Sequence, residues 1–107
     1  MSPTYTLTPV MKLIELKGLY PNPMTEEGKI YFGLRNAAEV VMTAYNVAGE
    51  IILRRSVALP AGVNIQVWDG RNDAGGRCAS GVYLIKVRAQ NAGGEHDEFW
   101  ATLAIAR

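Results

Sequence analysis

The stretch Val82-Tyr83-Leu84-Ile85-Lys86-Val87-Arg88-Ala89 decides the fold class. Tyr83, Ile85, Val87 and Ala89 fall on one side of an extended chain, and Leu84, Lys86 and Arg88 on the other. Successive side chains of a strand point to opposite faces, so this pattern predicts a strand with one face on a core and one toward solvent. The same period of two recurs on both sides of it. Residues 29–34 place Ile30, Phe32 and Leu34 together. Residues 40–45 set Val40, Met42 and Ala44 against Val41, Thr43 and Tyr45. Residues 63–67 set Val63, Ile65 and Val67 against Asn64 and Gln66. Residues 99–105 set Phe99, Ala101, Leu103 and Ile105 against Trp100, Thr102 and Ala104. Ile51–Leu59 is a less regular apolar stretch and is expected to be a further strand.

The breaks carry turn chemistry. Ala48-Gly49 sits between two strand-like runs only a few residues apart, which predicts a tight hairpin, with Asn46 able to bond nearby backbone. Pro60-Ala61-Gly62, Asp69-Gly70, residues 72–76 and residues 91–94 supply the residues that chain reversals need. Strands at this spacing, with no helix between them, predict an all-β fold: an immunoglobulin-like antiparallel β-sandwich of about seven strands. The start is ambiguous. Thr8-Pro9, residues 10–17 and Gly18 fit a capped two-turn helix, and they also fit a strand with Ile14 and Leu16 on one side. A sandwich needs a first strand and no other candidate exists, so the strand is favoured. Residues 1–13 are expected to be a linker or first-strand lead-in, and residues 14–107 the domain.

Composition narrows the function classes. The chain has 107 residues, 49% of them hydrophobic and 20% charged, which fits one domain with a core. Eleven Lys plus Arg against ten Asp plus Glu leave a net charge of +1, without the basic excess of a nucleic-acid binder. The longest apolar runs, residues 82–85 and 103–106, fall far short of a membrane span. The first twenty residues lack the apolar stretch of a signal peptide, so either the protein is not exported by that route or, the favoured expectation, the chain is a piece of a longer one. A single cysteine, Cys78, rules out an internal disulfide, and a single histidine, His96, removes most multi-histidine sites.

Candidate sites are few. Asp69, Asn72 and Asp73 share a Gly-rich loop, and oxygen-rich loops hold Ca²⁺; their spacing is not that of an EF-hand, and Asx turns explain the same residues. Glu95, His96 and Asp97 are adjacent on a loop-to-strand junction, where alternation turns neighbours apart. Cys78 as a nucleophile would need a histidine base, and His96 in a polar loop is a poor one. Ser80 lacks a nucleophile-elbow frame, and residues 70–76 lack the Gly-Lys-Ser/Thr of a phosphate loop. No catalytic residue and no cofactor is expected. Arg54-Arg55, Arg71 and Arg77 are isolated basic points that read as solubilising charges. At Phe99-Trp100, alternation sends one ring inward and one outward; an exposed aromatic there would mark a contact surface, and core or rim packing is the commoner reading.

Four features occur in a recognisable order: Tyr20-Pro21-Asn22-Pro23; Ala44-Tyr45-Asn46-Val47-Ala48-Gly49; Leu59-Pro60-Ala61-Gly62 leading to Val67-Trp68-Asp69-Gly70; and Ala79-Ser80-Gly81-Val82-Tyr83. This order resembles the FlgD-like immunoglobulin-type domain and the similar C-terminal sorting domain of the type IX secretion system, over about residues 14–107. The resemblance implies structural roles. Pro21 and Pro23, which cannot donate hydrogen bonds, end the first strand around Asn22. Gly49 turns a hairpin, Trp68 packs in the core or at its rim, and Asp69 caps the loop at Gly70. Gly81 allows close packing where the Tyr83 strand begins, and Tyr83 finds a hydroxyl partner as a tyrosine corner does.

In the flagellar hook cap, a domain of this type carries an inserted barrel, for which this chain has no room. Sorting domains end in a strand with basic residues, and this chain ends Thr102-Leu103-Ala104-Ile105-Ala106-Arg107. It differs in having a single terminal Arg and in placing Met24 where an aromatic commonly stands. The resemblance implies a non-catalytic module of an exported, secreted or cell-surface bacterial protein. Its partners would be the secretion machinery or cell-surface components and an upstream domain of the same polypeptide. Ala106 and Arg107 are the candidate export-recognition residues. The other reading is a structural spacer, or an assembly module beside a catalytic domain or in a hook-cap-like scaffold.

Overall fold

A computed structural model describes residues 12–107. The strands are β1 (Ile14–Tyr20), β2 (Gly28–Leu34), β3 (Ala38–Tyr45), β4 (Ile51–Leu59), β5 (Gly62–Trp68), β6 (Gly81–Asn91) and β7 (His96–Ile105). They form two antiparallel sheets, ordered β1-β2-β5 and β4-β3-β6-β7, so the fold is the expected immunoglobulin-like sandwich. The alternating positions of β2, β3, β6 and β7 supply the core: Phe32, Val40, Met42, Ile85, Val87, Phe99 and Leu103 are all buried. The Phe32 and Phe99 rings meet across the two sheets at 5.9 Å between centroids. Leu13, in the expected lead-in, is already buried, and its carbonyl accepts the Arg35 N–H.

One five-residue turn is built three times from Asn-x-x-Gly-x. In the β3–β4 hairpin, the Asn46 N–H donates to Glu50 O and the Gly49 N–H to Asn46 O, each at 3.0 Å. The Asn46 side-chain oxygen also accepts the N–H groups of Ala48 and Glu50. Asn72 repeats the full set in the loop between β5 and β6, and Asn91 repeats the two main-chain bonds in the β6–β7 hairpin, where its side-chain oxygen accepts the Glu95 N–H. In each case the Asn carbonyl and side chain satisfy donors that the reversal would leave unpaired.

Two strands depart from the sequence expectation. Ile14 and Leu16 do not share a face: the register of β1 on β2 shifts between Glu15 and Lys17, Leu16 has φ +48°, and its side chain is exposed while Ile14 is buried. The bulge adds one residue, and one residue reverses the faces. In β5 the apolar set points outward, with Val63, Ile65 and Val67 at 65%, 50% and 41% exposure. Trp68 is fully buried, and its place in the core forces Val67 and every second residue before it outward. Asn64 then faces inward and donates to the carbonyls of Pro60 and Gly62, closing the turn that begins the strand.

The sheets are fastened at their margins. Arg55 takes an inward position on edge strand β4, and its Nη1 donates to Val67 O of β5 at 3.1 Å. On the other side the Ile14 N–H donates to Asp97 Oδ2 at 3.1 Å, tying β1 to β7. Arg35 and Glu95 form a hydrogen-bonded ion pair between the β2 end and the β6–β7 turn.

Candidate functional site

The motif residues converge at one end of the sandwich, where β5 ends, β6 begins and β7 ends. Trp68 donates through Nε1 to Arg71 O at 2.9 Å, so its indole is buried with its donor satisfied and holds the loop that follows. Tyr83 meets it edge-on, with centroids 5.6 Å apart and planes at 78°. The Tyr83 hydroxyl donates to Ala79 O at 2.7 Å, four residues back, which is the tyrosine-corner contact expected of it. Gly81 has a reason other than close packing. Nothing lies within 4 Å of where its Cβ would stand, whereas its φ of +157° is one that L side chains rarely adopt.

The segment after Pro21 runs beside β7. Asn22 grips the strand twice: its Nδ2 donates to Thr102 O and its Oδ1 accepts the Ala104 N–H. Met24 then pairs in parallel with Ile105: its N–H donates to Ala104 O, and its carbonyl accepts the Ala106 N–H, both at 2.8 Å. With no side-chain exposure, Met24 fills the core. Pro21 and Pro23 flank the Asn22 grip, and this short segment covers the free edge of β7 over residues 102–106.

The chain end is locked to this frame. Arg107 donates from Nε to Cys78 O at 3.1 Å and from Nη2 to Gly70 O at 3.2 Å, while its N–H donates to Ser80 Oγ. Gly70 O also accepts the Cys78 N–H, and Gly70 has φ +72°; a Cβ there would stand 2.6 Å from the Arg107 guanidinium. Glycine at position 70 therefore makes room for the arginine. Ala106 and Arg107, read from the sequence as an accessible tail, are exposed to solvent but held at both main chain and side chain.

The candidate metal residues each serve a different hydrogen-bonding role. Asp69 Oδ1 accepts the Arg71 N–H, Asn72 Oδ1 accepts the N–H groups of Ala74 and Gly76, and the Asp73 carboxylate accepts the Arg54 N–H. Asp73 also donates its N–H to Ile52 O, so this loop covers part of the free edge of β4. Among the described residues no three His, Cys, Asp or Glu side chains gather as a metal site. Cys78 is buried, and burial pushes its thiol above the usual value, with Asp69 adding to the rise and the Arg107 charge opposing it. His96 starts β7 at its far end, about 30 Å of strand from the Arg107 lock. Burial, reinforced by Cys78 and opposed by Arg107, raises the Tyr83 hydroxyl in the same way. A depression of about 640 Å³ lies at the opposite end, its lining including Ala38, Ala58, Leu59, Pro60 and Ala92.

Two-sheet order, tyrosine corner and stapled last strand define an immunoglobulin-like domain. The chain belongs to the FlgD Ig-like domain family, whose match spans residues 22–93. No curated protein matches it. Among solved structures it is similar to latent PorU from Porphyromonas gingivalis, at TM-score 0.72 and 18% identity, covering 84% of this chain and 9% of that one. FlgD from Xanthomonas campestris, a hook-capping protein, superposes at TM-score 0.64 with 24% identity over 86% of this chain and 67% of FlgD. PorZ, a bacterial surface component of the type IX secretion system of P. gingivalis, gives TM-score 0.53 and 22% identity over 85% of this chain and 11% of PorZ. The chain thus spans a small part of PorU and PorZ and about two thirds of FlgD.

Sequence reasoning missed Met24 as a core residue, Arg55 as the clasp between sheets and Arg107 as a lock. The signal for Met24 was present: an apolar residue directly after Asn22-Pro23 at a strand-like position. Nothing local announces the roles of Arg55 and Arg107, because their acceptors are main-chain carbonyls 12 to 37 residues away.

Proposed function

We propose that this chain is a non-catalytic module of an exported bacterial protein and acts as a type IX secretion sorting and surface-attachment signal. The observation that carries this reading is the likeness to a segment making up 9% of PorU, with PorZ, a surface component of the same system, showing the same fold. The site agrees with it. A receptor meeting this domain would read a folded surface: Arg107 and Ala106 framed by Asn22, Pro23 and the Gly70 loop. Its partners are the secretion machinery, cell-surface components and an adjoining domain of the same polypeptide, and its location is extracytoplasmic.

The test fuses the whole chain behind a periplasmic reporter in a bacterium with type IX secretion. The reporter reaches the surface or medium when the domain is intact, and retention in the periplasm refutes the sorting role. A second reading, an assembly module, is favoured by the family match and by the coverage of about two thirds of FlgD. It predicts a reporter that stays in the periplasm while the domain co-purifies with a structural partner.

A further inference from the structure

The outer face of the β4-β3-β6-β7 sheet carries a basic and aromatic groove that the sequence did not announce. The register aligns Arg54, Thr43, Lys86 and Trp100 in one row across four strands. At the usual strand spacing that row spans about 14 Å. Arg88 stands two residues along β6 from Lys86, beside Val41, and Tyr45 two residues along β3 from Thr43. Thr43, Tyr45, Ile51, Arg54, Lys86 and Arg88 line a depression of about 230 Å³, and Trp100 stands beside it, stacked on Tyr45; Thr43 is itself buried. The lining holds three cations and no carboxylate. Glu98, the nearest acid on the row beside it, pairs with Arg88 at 3.6 Å and accepts the Trp100 indole N–H at 3.1 Å. Among the described residues neither Arg54 nor Lys86 has an ion-pair partner. Trp100 is 53% exposed and stacks on Tyr45, with centroids 5.7 Å apart and planes at 28°, while Lys86 Nζ lies 5.5 Å from its ring centre.

This combination selects a ligand class. Arg54 and Lys86, with no ion-pair partner among the described residues, and Arg88, shared with Glu98, favour an anionic group held by charge-assisted hydrogen bonds. The stacked Tyr45–Trp100 pair adds an apolar platform of the kind that takes the C–H face of a sugar ring. The depression is smaller than the pockets that enclose a drug-sized ligand, so it admits one ring while the rest of a chain stays outside. We propose that this groove binds an acidic saccharide, with a carboxylate-bearing or sulfated ring held by Arg54, Lys86 and Arg88 and stacked against Tyr45 and Trp100.

Titration of the isotope-labelled chain with tetragalacturonate tests this. Amide and indole shifts are expected to be confined to Thr43, Tyr45, Lys86, Arg88 and Trp100, with affinity falling as salt rises. Lys86→Gln and Trp100→Ala, each verified to melt as a folded domain, should each weaken binding at least five-fold. Maltotetraose, a neutral chain of equal length, should leave the spectrum unchanged. The proposal is overturned if tetragalacturonate shifts nothing or shifts other surfaces, or if maltotetraose binds equally. It is also overturned if inorganic phosphate alone reproduces the shifts and Trp100→Ala changes nothing, which marks a simple anion site.

Discussion

Replacing Arg107 with Ala removes the two side-chain hydrogen bonds that join the chain end to Cys78 O and Gly70 O. Hydrogen bonds from a charged donor contribute about 1.5–3 kcal/mol each when well buried. These two lie at a part-exposed site where water replaces the guanidinium, and Gly70 O keeps the Cys78 N–H as a donor. About 0.5–1 kcal/mol each is the fitting value, or about 1–2 kcal/mol in total. For a domain of this size each kcal/mol moves the melting temperature by about 4–8 °C, so the variant should melt about 4–16 °C lower by calorimetry or by circular dichroism. Urea unfolding should give a lower midpoint with an unchanged slope, since almost no buried area is lost. Arg107→Lys keeps the charge but lacks the guanidinium fork, and should recover less than half of the loss. The sequence alone leads to the opposite expectation, because terminal residues usually contribute little. If Arg107→Ala melts within about 1 °C of the parent, the lock carries no stability and the tail is a free end.

Further outcomes follow from the same contacts. Trp68→Ala should cost about 3–5 kcal/mol, a large part of a domain's stability, whereas Tyr83→Phe, which loses only the bond to Ala79 O, should cost about 1 kcal/mol; equilibrium unfolding measures both. In the unfolded chain the Cys78 thiol releases its proton near 9.0, while burial keeps it bound in the folded state. The folded form then holds more protons, so stability should fall as pH rises above that value, and Cys78→Ala should flatten the fall in a pH series of urea midpoints. Ile65→Thr should change stability by less than about 0.5 kcal/mol, because half of the side chain is in solvent; a large loss would mean that this face of β5 is covered.

The core faces of β2, β3, β6 and β7 were legible in the sequence because each strand buries one face against the opposite sheet. An alternating pattern such as Tyr83, Ile85, Val87 and Ala89 therefore records which side lies inside. The hairpin at Asn46 to Glu50 was legible for a local reason too: its hydrogen bonds close within five residues. Strand β5 shows where local reading stops. Its apolar set reads as the inner face, yet the burial of one large residue at its end, Trp68, outweighs three smaller side chains and turns them outward. The bulge at Leu16 acts similarly, reversing the faces of β1 through one backbone irregularity that no side-chain pattern announces. The basic groove was invisible for a different reason. Lys86 and Arg88 share a face of β6 by alternation, but Arg54 joins them only when β4, β3 and β6 pair. Periodicity and turn chemistry are short-range and are written in consecutive residues. Which face wins, which edge is covered and which charges meet depend on register between distant strands, and that register is set by the tertiary packing of the whole sandwich.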